Sequence, residues 1–187
     1  MSGLAAFEGR REIASPADME RFGRALGAAL RAGDLVVLTG PLGAGKTTLT
    51  RGIGAGLGVR GPVQSPTFVL ARTHPSEVGG APLVHVDAYR LGSPAELDDL
   101  GLDVDGSVTI VEWGRGMVDD LVDSWWELEI ERGGPTRPEA PTAASAAGGV
   151  AVGRSGTGVD TACGTSGAHV ADLEDAASRI VTVTRRP

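Results

Sequence analysis

Nine residues, Gly40-Pro41-Leu42-Gly43-Ala44-Gly45-Lys46-Thr47-Thr48, stand between the apolar run Leu35 to Leu38 and a stretch with Leu49, Ile53 and Leu57 at helical spacing. The run has the character of a buried parallel strand, and Gly58 closes the stretch as a helix stop. Strand, glycine-rich loop and helix in that order, with the pattern G-x-x-x-x-G-K-T, restrict the chain to a small set of α/β architectures with a phosphate-binding loop. The glycines let backbone N–H groups converge on an anion without interference from a Cβ. Lys46 is placed to reach the β and γ phosphates, and the Thr47 hydroxyl is available to Mg²⁺. Gly40, Leu42, Gly43, Ala44, Gly45, Lys46, Thr47 and Thr48 therefore form the expected phosphate cradle, and a nucleoside triphosphate with magnesium is implied.

Composition sharpens that reading. Of the 17 basic residues, 16 are arginine, and the one lysine is Lys46. A chain so poor in lysine keeps one where a compact ammonium suits a phosphate better than a planar guanidinium does. The net charge of −7 and the scattered arginines argue against strong direct nucleic-acid binding, which needs clustered cations to displace counterions. No apolar run approaches the ~18 residues of a membrane span. The N-terminal residues carry no signal-peptide pattern, so a cytoplasmic protein without membrane contact is expected. Cys163 has no Cys or His at ligand spacing, which excludes a disulfide framework or a zinc site.

At 187 residues the chain is long enough for one sizeable domain, and 1–187 reads as a single P-loop domain. A weak strand signal covers Arg11 to Ala14. Ser15, Pro16 and Asp18 then open a helix carrying Met19, Phe22, Leu26 and Leu30 on one face, with Gly33 as its stop. Phe68 to Arg72 and Leu83 to Val86 flank a polar turn and suggest a hairpin. Ser93 and Pro94 start a second capped helix. Val108 to Val111 is another buried strand, and a short helix is expected over Met117 to Val122. From Trp126 to Ile130, Trp, Leu and Ile alternate with glutamates, the period of a half-exposed strand, of a kind more often antiparallel and near an edge. From Gly133 to Val170, 28 of 38 residues are Gly, Ala, Ser, Thr or Pro. Such a segment buries too little apolar surface to offset chain entropy, so 133–170 is expected to be a disordered or mobile insertion. A short helical stretch at Ala171 to Ala177 and a last strand, Ile180 to Val183, follow. The expected fold is α/β: a three-layer mixed sheet with a central parallel part, antiparallel edge strands and flanking helices.

Phosphoryl transfer also needs an acidic group near the metal and one that positions the nucleophile. Asp87 and Glu112 each follow an apolar strand directly. In open α/β sheets ligands sit beyond the carboxyl ends of parallel strands, so both acids are candidates for metal ligation or catalysis. Spacing does not divide those two tasks between them. Thr67 is a candidate switch threonine near the γ phosphate, although by spacing alone it reads as a turn hydroxyl. Arg90 fits either a charge stabiliser or a surface ion pair, and Tyr89 and Trp113 flank the acids. His85 reads as a strand residue with no catalytic part, and His74 and His169 as solvated.

Ser65-Pro66-Thr67-Phe68, His85-Val86-Asp87-Ala88-Tyr89-Arg90-Leu91 and Val111-Glu112-Trp113-Gly114, following a phosphate loop in a small chain, resemble the bacterial TsaE (YjeE) ATPase family. The resemblance covers roughly Ser15 to Ile130. It implies an ATPase of tRNA threonylcarbamoyladenosine biosynthesis that hydrolyses ATP to regulate or reset a TsaB–TsaD heterodimer, the partner that transfers the threonylcarbamoyl group to adenosine 37. It further implies that Lys46 and Thr47 bind phosphate and metal, that Asp87 and Glu112 belong to the metal and hydrolysis site, that Thr67 is a switch residue, and that Trp113 is an active-site or partner-contact aromatic. The insertion at 133–170 departs from the compact family pattern.

Other functions are weighed on the same residues. A GTPase needs an N/T-K-x-D motif, and the one lysine is already in the loop. A small-molecule kinase using MgATP shares the loop logic but usually has an arginine-bearing lid. The long insertion offers only Arg137 and Arg154 in a low-complexity tract. A nucleotide-bound scaffold with negligible turnover is the third reading.

Overall fold

The computed structural model describes residues 3–66, 68–133 and 178–187. Of the expectations above, Thr67, the insertion beyond Gly133, His169 and the stretch 171–177 lie outside the described residues.

The apolar run before the phosphate loop becomes β2 (Leu35–Thr39), and it occupies the middle of a seven-stranded sheet. On one side it pairs in parallel with β5 (Val108–Glu112), which pairs in parallel with β4 (Leu83–Asp87). The antiparallel strand β3 (Ala71–His74) closes that edge. On the other side β2 pairs in parallel with β6 (Trp125–Arg132). Antiparallel β7 (Arg179–Arg186) and β1 (Gly9–Ile13) complete the order β1-β7-β6-β2-β5-β4-β3. The mixed sheet with a parallel centre and antiparallel edges is as expected.

Successive residues of β2 serve opposite faces, as the period of a strand requires. Val36 and Leu38 join a core with Met19, Leu26, Leu49 and Ile53, whereas Leu35 and Val37 pack with Val84, Val111, Leu97 and Val118. The first core is covered by α1 (Pro16–Ala29) and α2 (Lys46–Leu57). The second is covered by the short α3 (Pro94–Asp98) and the turns after β5. Ser15 caps α1, its Oγ accepting from the Asp18 N–H, and Ser93 caps α3 by accepting from Glu96.

Glycines set how closely α1 and α2 approach. A Cβ on Gly23 would lie 2.5 Å from the Leu49 carbonyl oxygen, and one on Gly27 would lie 2.2 Å from that of Ile53. From α2, a Cβ on Gly52 or Gly56 would meet the carbonyl of Glu20 or Arg24. The two backbones touch, which fixes the start of α2 and with it the phosphate loop.

Several local expectations are corrected. Residues 117–122 form turns, with the Leu121 N–H donating to Val118 O. Unlike the equally short α3, this stretch has no capping serine and first-turn proline to start a helix, and burying Val118 holds the turn instead. Helix α1 ends at Ala29, and Gly33 lies in the following turn, where its N–H donates to Ser107 O. Strand β3 starts at Ala71 because Val69 and Leu70 turn back to donate to Pro66 O, with Leu70 at φ 64°. The β1 and β7 strands run over slightly different spans than the weak signals suggested. Strand β6, the third from one edge, pairs antiparallel with β7 as expected but in parallel with β2, and Glu127 on it is buried. His74 is also buried, not solvated.

Candidate functional site

Register brings the sequence candidates together. Leu38 is paired with Glu112 across β2 and β5, and Glu112 with Asp87 across β5 and β4. The ends of three adjacent parallel strands therefore carry, side by side, the start of the phosphate loop and two acids. Both carboxylates are buried, Glu112 at 4% and Asp87 at 6% exposure.

The loop leaves β2 through Gly40, whose φ of 149° few side chains adopt and whose absent Cβ would meet the Ile130 carbonyl oxygen at 2.4 Å. It enters α2 through Gly45, the N-cap residue, in the left-handed region at φ 104°. With no side-chain cap at this end, the first N–H groups of α2 are turned toward the cleft rather than consumed by a neighbouring hydroxyl. Ala44 is fully buried and anchors the loop. Leu42 is exposed at the rim, and its carbonyl accepts from Arg132 at the end of β6. Arg132 carried no sequence signal.

Lys46 is buried, and its Nζ donates to Gly40 O at 2.9 Å and to Pro41 O at 3.1 Å. The ammonium also lies 3.8 Å from the centre of the Trp113 ring, a cation–π contact. Burial lowers the pKa of Lys46, and the charges of Glu112 and Asp87 counter that in part. Trp113 is held in place by a left-handed φ of 64° and by its N–H donating to Leu38 O, and Tyr89 leans on it with ring centres 5.3 Å apart.

The Thr47 hydroxyl donates to Glu112 Oε1 at 3.2 Å. Asp87 accepts from the Tyr89 N–H and so caps the turn that follows β4. The cleft above these groups has a volume of about 500 Å³ and is lined by residues 42–48 together with Ser65, Asp87, Tyr89, Glu112 and Trp113. Gly40 lies beneath the lining, where its carbonyl holds Lys46. Arg90 is exposed and is not part of the lining. Thr67 is outside the described residues, while Ser65, two positions before it, lines the cleft.

A threonine hydroxyl and two carboxylates are hard oxygen donors of the kind Mg²⁺ takes when phosphates and water complete its shell. Among the described residues no cluster of three or more His, Cys, Asp or Glu forms a metal cage.

His85, a strand residue as expected, also reaches this site from beneath the lining. It is fully buried, and its Nε2 donates to Glu112 Oε1 at 2.9 Å, the carboxylate being an acceptor only. A usable signal was present, because His85 precedes Asp87 by two positions on one strand and so shares its face. His74, two strand positions from Arg72, lies beside His85; burial first, and then the charges of His85 and Arg72, lower its pKa.

Comparison with known proteins follows the same lines. A family model described as threonylcarbamoyl adenosine biosynthesis protein TsaE matches residues 13–138. The chain is 62% identical over 117 residues to a tRNA threonylcarbamoyladenosine biosynthesis protein TsaE of Streptomyces coelicolor, covering 61% of this chain and 79% of that one. It is 35% identical over 128 residues to the protein of the same name from Bacillus subtilis, covering 67% of this chain and 78% of that one. Among solved structures it is similar to the crystal structure of Bacillus subtilis YdiB, with a TM-score of 0.54 and 31% identity over 67% of this chain and 77% of that one.

Proposed function

The chain belongs to the TsaE family, a group with a P-loop NTPase-type fold, and on that premise we propose that it is a magnesium-dependent ATPase of tRNA threonylcarbamoyladenosine formation. Its hydrolysis of ATP to ADP and phosphate regulates or resets a TsaB–TsaD transfer complex. The observation that supports this best is that Lys46 and Thr47, opening α2, share one cleft with Glu112 and Asp87 at the carboxyl ends of β5 and β4, beside β2. The relatives' names supply the process.

In this reading the N–H groups of Gly43 to Thr48 and the positive end of α2 bind the phosphates. Lys46 exchanges the carbonyls of Gly40 and Pro41 for phosphate oxygens. Thr47 would hold the cation through its hydroxyl oxygen while still donating its hydrogen bond to Glu112. Glu112 would be a further ligand of the cation, Asp87 orients the attacking water, and Thr67 acts as a switch residue. Magnesium, when bound, neutralises charge that develops on the transferred phosphoryl group. Trp113, over the Lys46 ammonium, helps shut bulk water out, which strengthens the electrostatic terms inside the cleft. The domain spans 1–187, with the 133–170 segment as an insertion that catalysis does not need.

Release of inorganic phosphate from ATP, measured with and without TsaB–TsaD and with a panel of small-molecule acceptors, tests this. Partner-stimulated release with no labelled acceptor is expected. Stoichiometric phosphate transfer to a metabolite would replace the ATPase with a kinase.

A further inference from the structure

His85 sits in the middle of β4, between Val84 and Val86, in register with Arg72 on β3 and Ile110 on β5. An apolar residue would fill that place without leaving a polar atom dry. His85 Nδ1 is instead buried with no hydrogen-bond partner among the described residues, an arrangement that costs stability and calls for a reason. The other nitrogen supplies one. Both hydrogen bonds to Glu112, from His85 Nε2 at 2.9 Å and from Thr47 Oγ1 at 3.2 Å, fall on Oε1. The carboxylate is thus pinned by one oxygen from two sides, and Oε2 keeps the lone pairs with which Glu112 takes a cation. Lys46 is close enough for its charge to be felt by Glu112. Without the imidazole, a single neutral hydroxyl opposes rotation of the carboxylate toward that ammonium.

We infer that His85 is a positioning residue that locks the Glu112 carboxylate through Oε1 so that its second oxygen faces a divalent cation on the bound nucleotide. This rests on the nucleotide-and-metal reading above. His85 touches neither nucleotide nor cation, and acts only through Glu112.

The test is metal binding without turnover. Full-length protein loaded with ADP is titrated with Mn²⁺ and followed by electron paramagnetic resonance, and metal-free ADP binding is measured separately by calorimetry. His85→Leu is expected to weaken Mn²⁺ binding about 10-fold or more, the usual effect of losing a partner of a metal ligand, with metal-free ADP affinity unchanged. His85→Gln presents an N–H near the position of Nε2 and is expected to keep most of the affinity. His85→Asn presents it near Nδ1 and is expected to lose it. That pair decides the matter if His85→Leu does not fold. In a Glu112→Gln background, His85→Leu should cost nothing further. Equal Mn²⁺ affinity in wild type and His85→Leu, equal loss in the Gln and Asn variants, or a full additive loss beyond Glu112→Gln would overturn the assignment. Absence of Mn²⁺ binding by wild type itself is a different result, since it removes the nucleotide-and-metal site as a whole.

Discussion

Glu112 and Glu127 are buried almost equally, at 4% and 5% exposure, and lie on opposite faces of the same sheet. Their company differs. Glu127 accepts from Arg115 on Oε1 and from Arg186 on Oε2 at 2.6 Å, with the Thr39 hydroxyl 3.3 Å away. Two guanidiniums offset its charge, and the site is closed chemically. Glu112 accepts from a threonine and a histidine, while the nearest cation, Lys46, gives its protons to loop carbonyls. A buried carboxylate that no arginine or lysine bonds directly among the described residues is open to a bound cation. The same residue type at the same depth is therefore closed by two arginines on β6 and left without one on β5, where the proposed function puts it to use.

The comparison breaks first on activity. Glu112→Gln is expected to lower ATP hydrolysis on the order of 10²–10⁴-fold, with a melting temperature equal to or above wild type because a buried charge held by no arginine has been removed. A variant that melts lower and keeps its turnover would place Glu112 with Glu127 as a structural acid. Glu127→Leu should do the reverse, leaving nucleotide affinity intact while destabilising the fold by about 2 kcal/mol in urea titrations. The figure is set below that for a fully buried pair because Arg115 and Arg186 are about half exposed and regain water when released.

A smaller effect is carried by pH. Burial opposes the charge of Glu127, but hydrogen bonds from Arg186 and then Arg115 outweigh it, so its pKa lies below the ordinary glutamate value. A carboxylate with a lowered folded pKa contributes stability that is complete above its unfolded pKa and is lost as the pH falls through the folded one. The stability gap between wild type and Glu127→Gln should be widest near neutrality and close in acid, below about pH 4. A gap constant across that range would show that the two arginines do not hold the charge of Glu127.

The same contrast explains which parts could be read from the sequence. The phosphate loop, Asp87 and Glu112 were legible because each is announced by neighbours in the chain, an apolar run followed at once by a glycine or an acid. The parallel centre and the pairing of β3 with β4 followed for the same reason. The place of β6 was not legible: its glutamates looked solvated, and Glu127 is buried only because Arg186, 59 residues away, and Arg115, 12 residues away, reach it. The reach of His85 to the site was missed for a related cause. Its partner, Glu112, is 27 residues distant; the two-residue spacing puts His85 on the face of Asp87, but the bond to Glu112 needs the register of β4 on β5. Helix α1 was placed correctly by its cap and apolar stripe, but the glycine contact with α2 needs both backbones at once.

Arg186→Lys gives the smallest and most selective test of the comparison. Arg186 donates from Nε to Glu127 Oε2 and is 47% exposed on its side chain, at the outer end of β7. Lysine keeps the charge but not the fixed planar donor, so only the directed part of the interaction is removed. Arg115 still holds Oε1, and water reaches the new ammonium, which limits the expected loss to about 0.5–1 kcal/mol in urea titrations. Turnover should stay at the wild-type level, because nothing in this cluster lines the cleft. If the substitution instead slows ATP hydrolysis while stability holds, the two acids are coupled across the sheet through β2, and the division into a closed structural carboxylate and an open functional one fails.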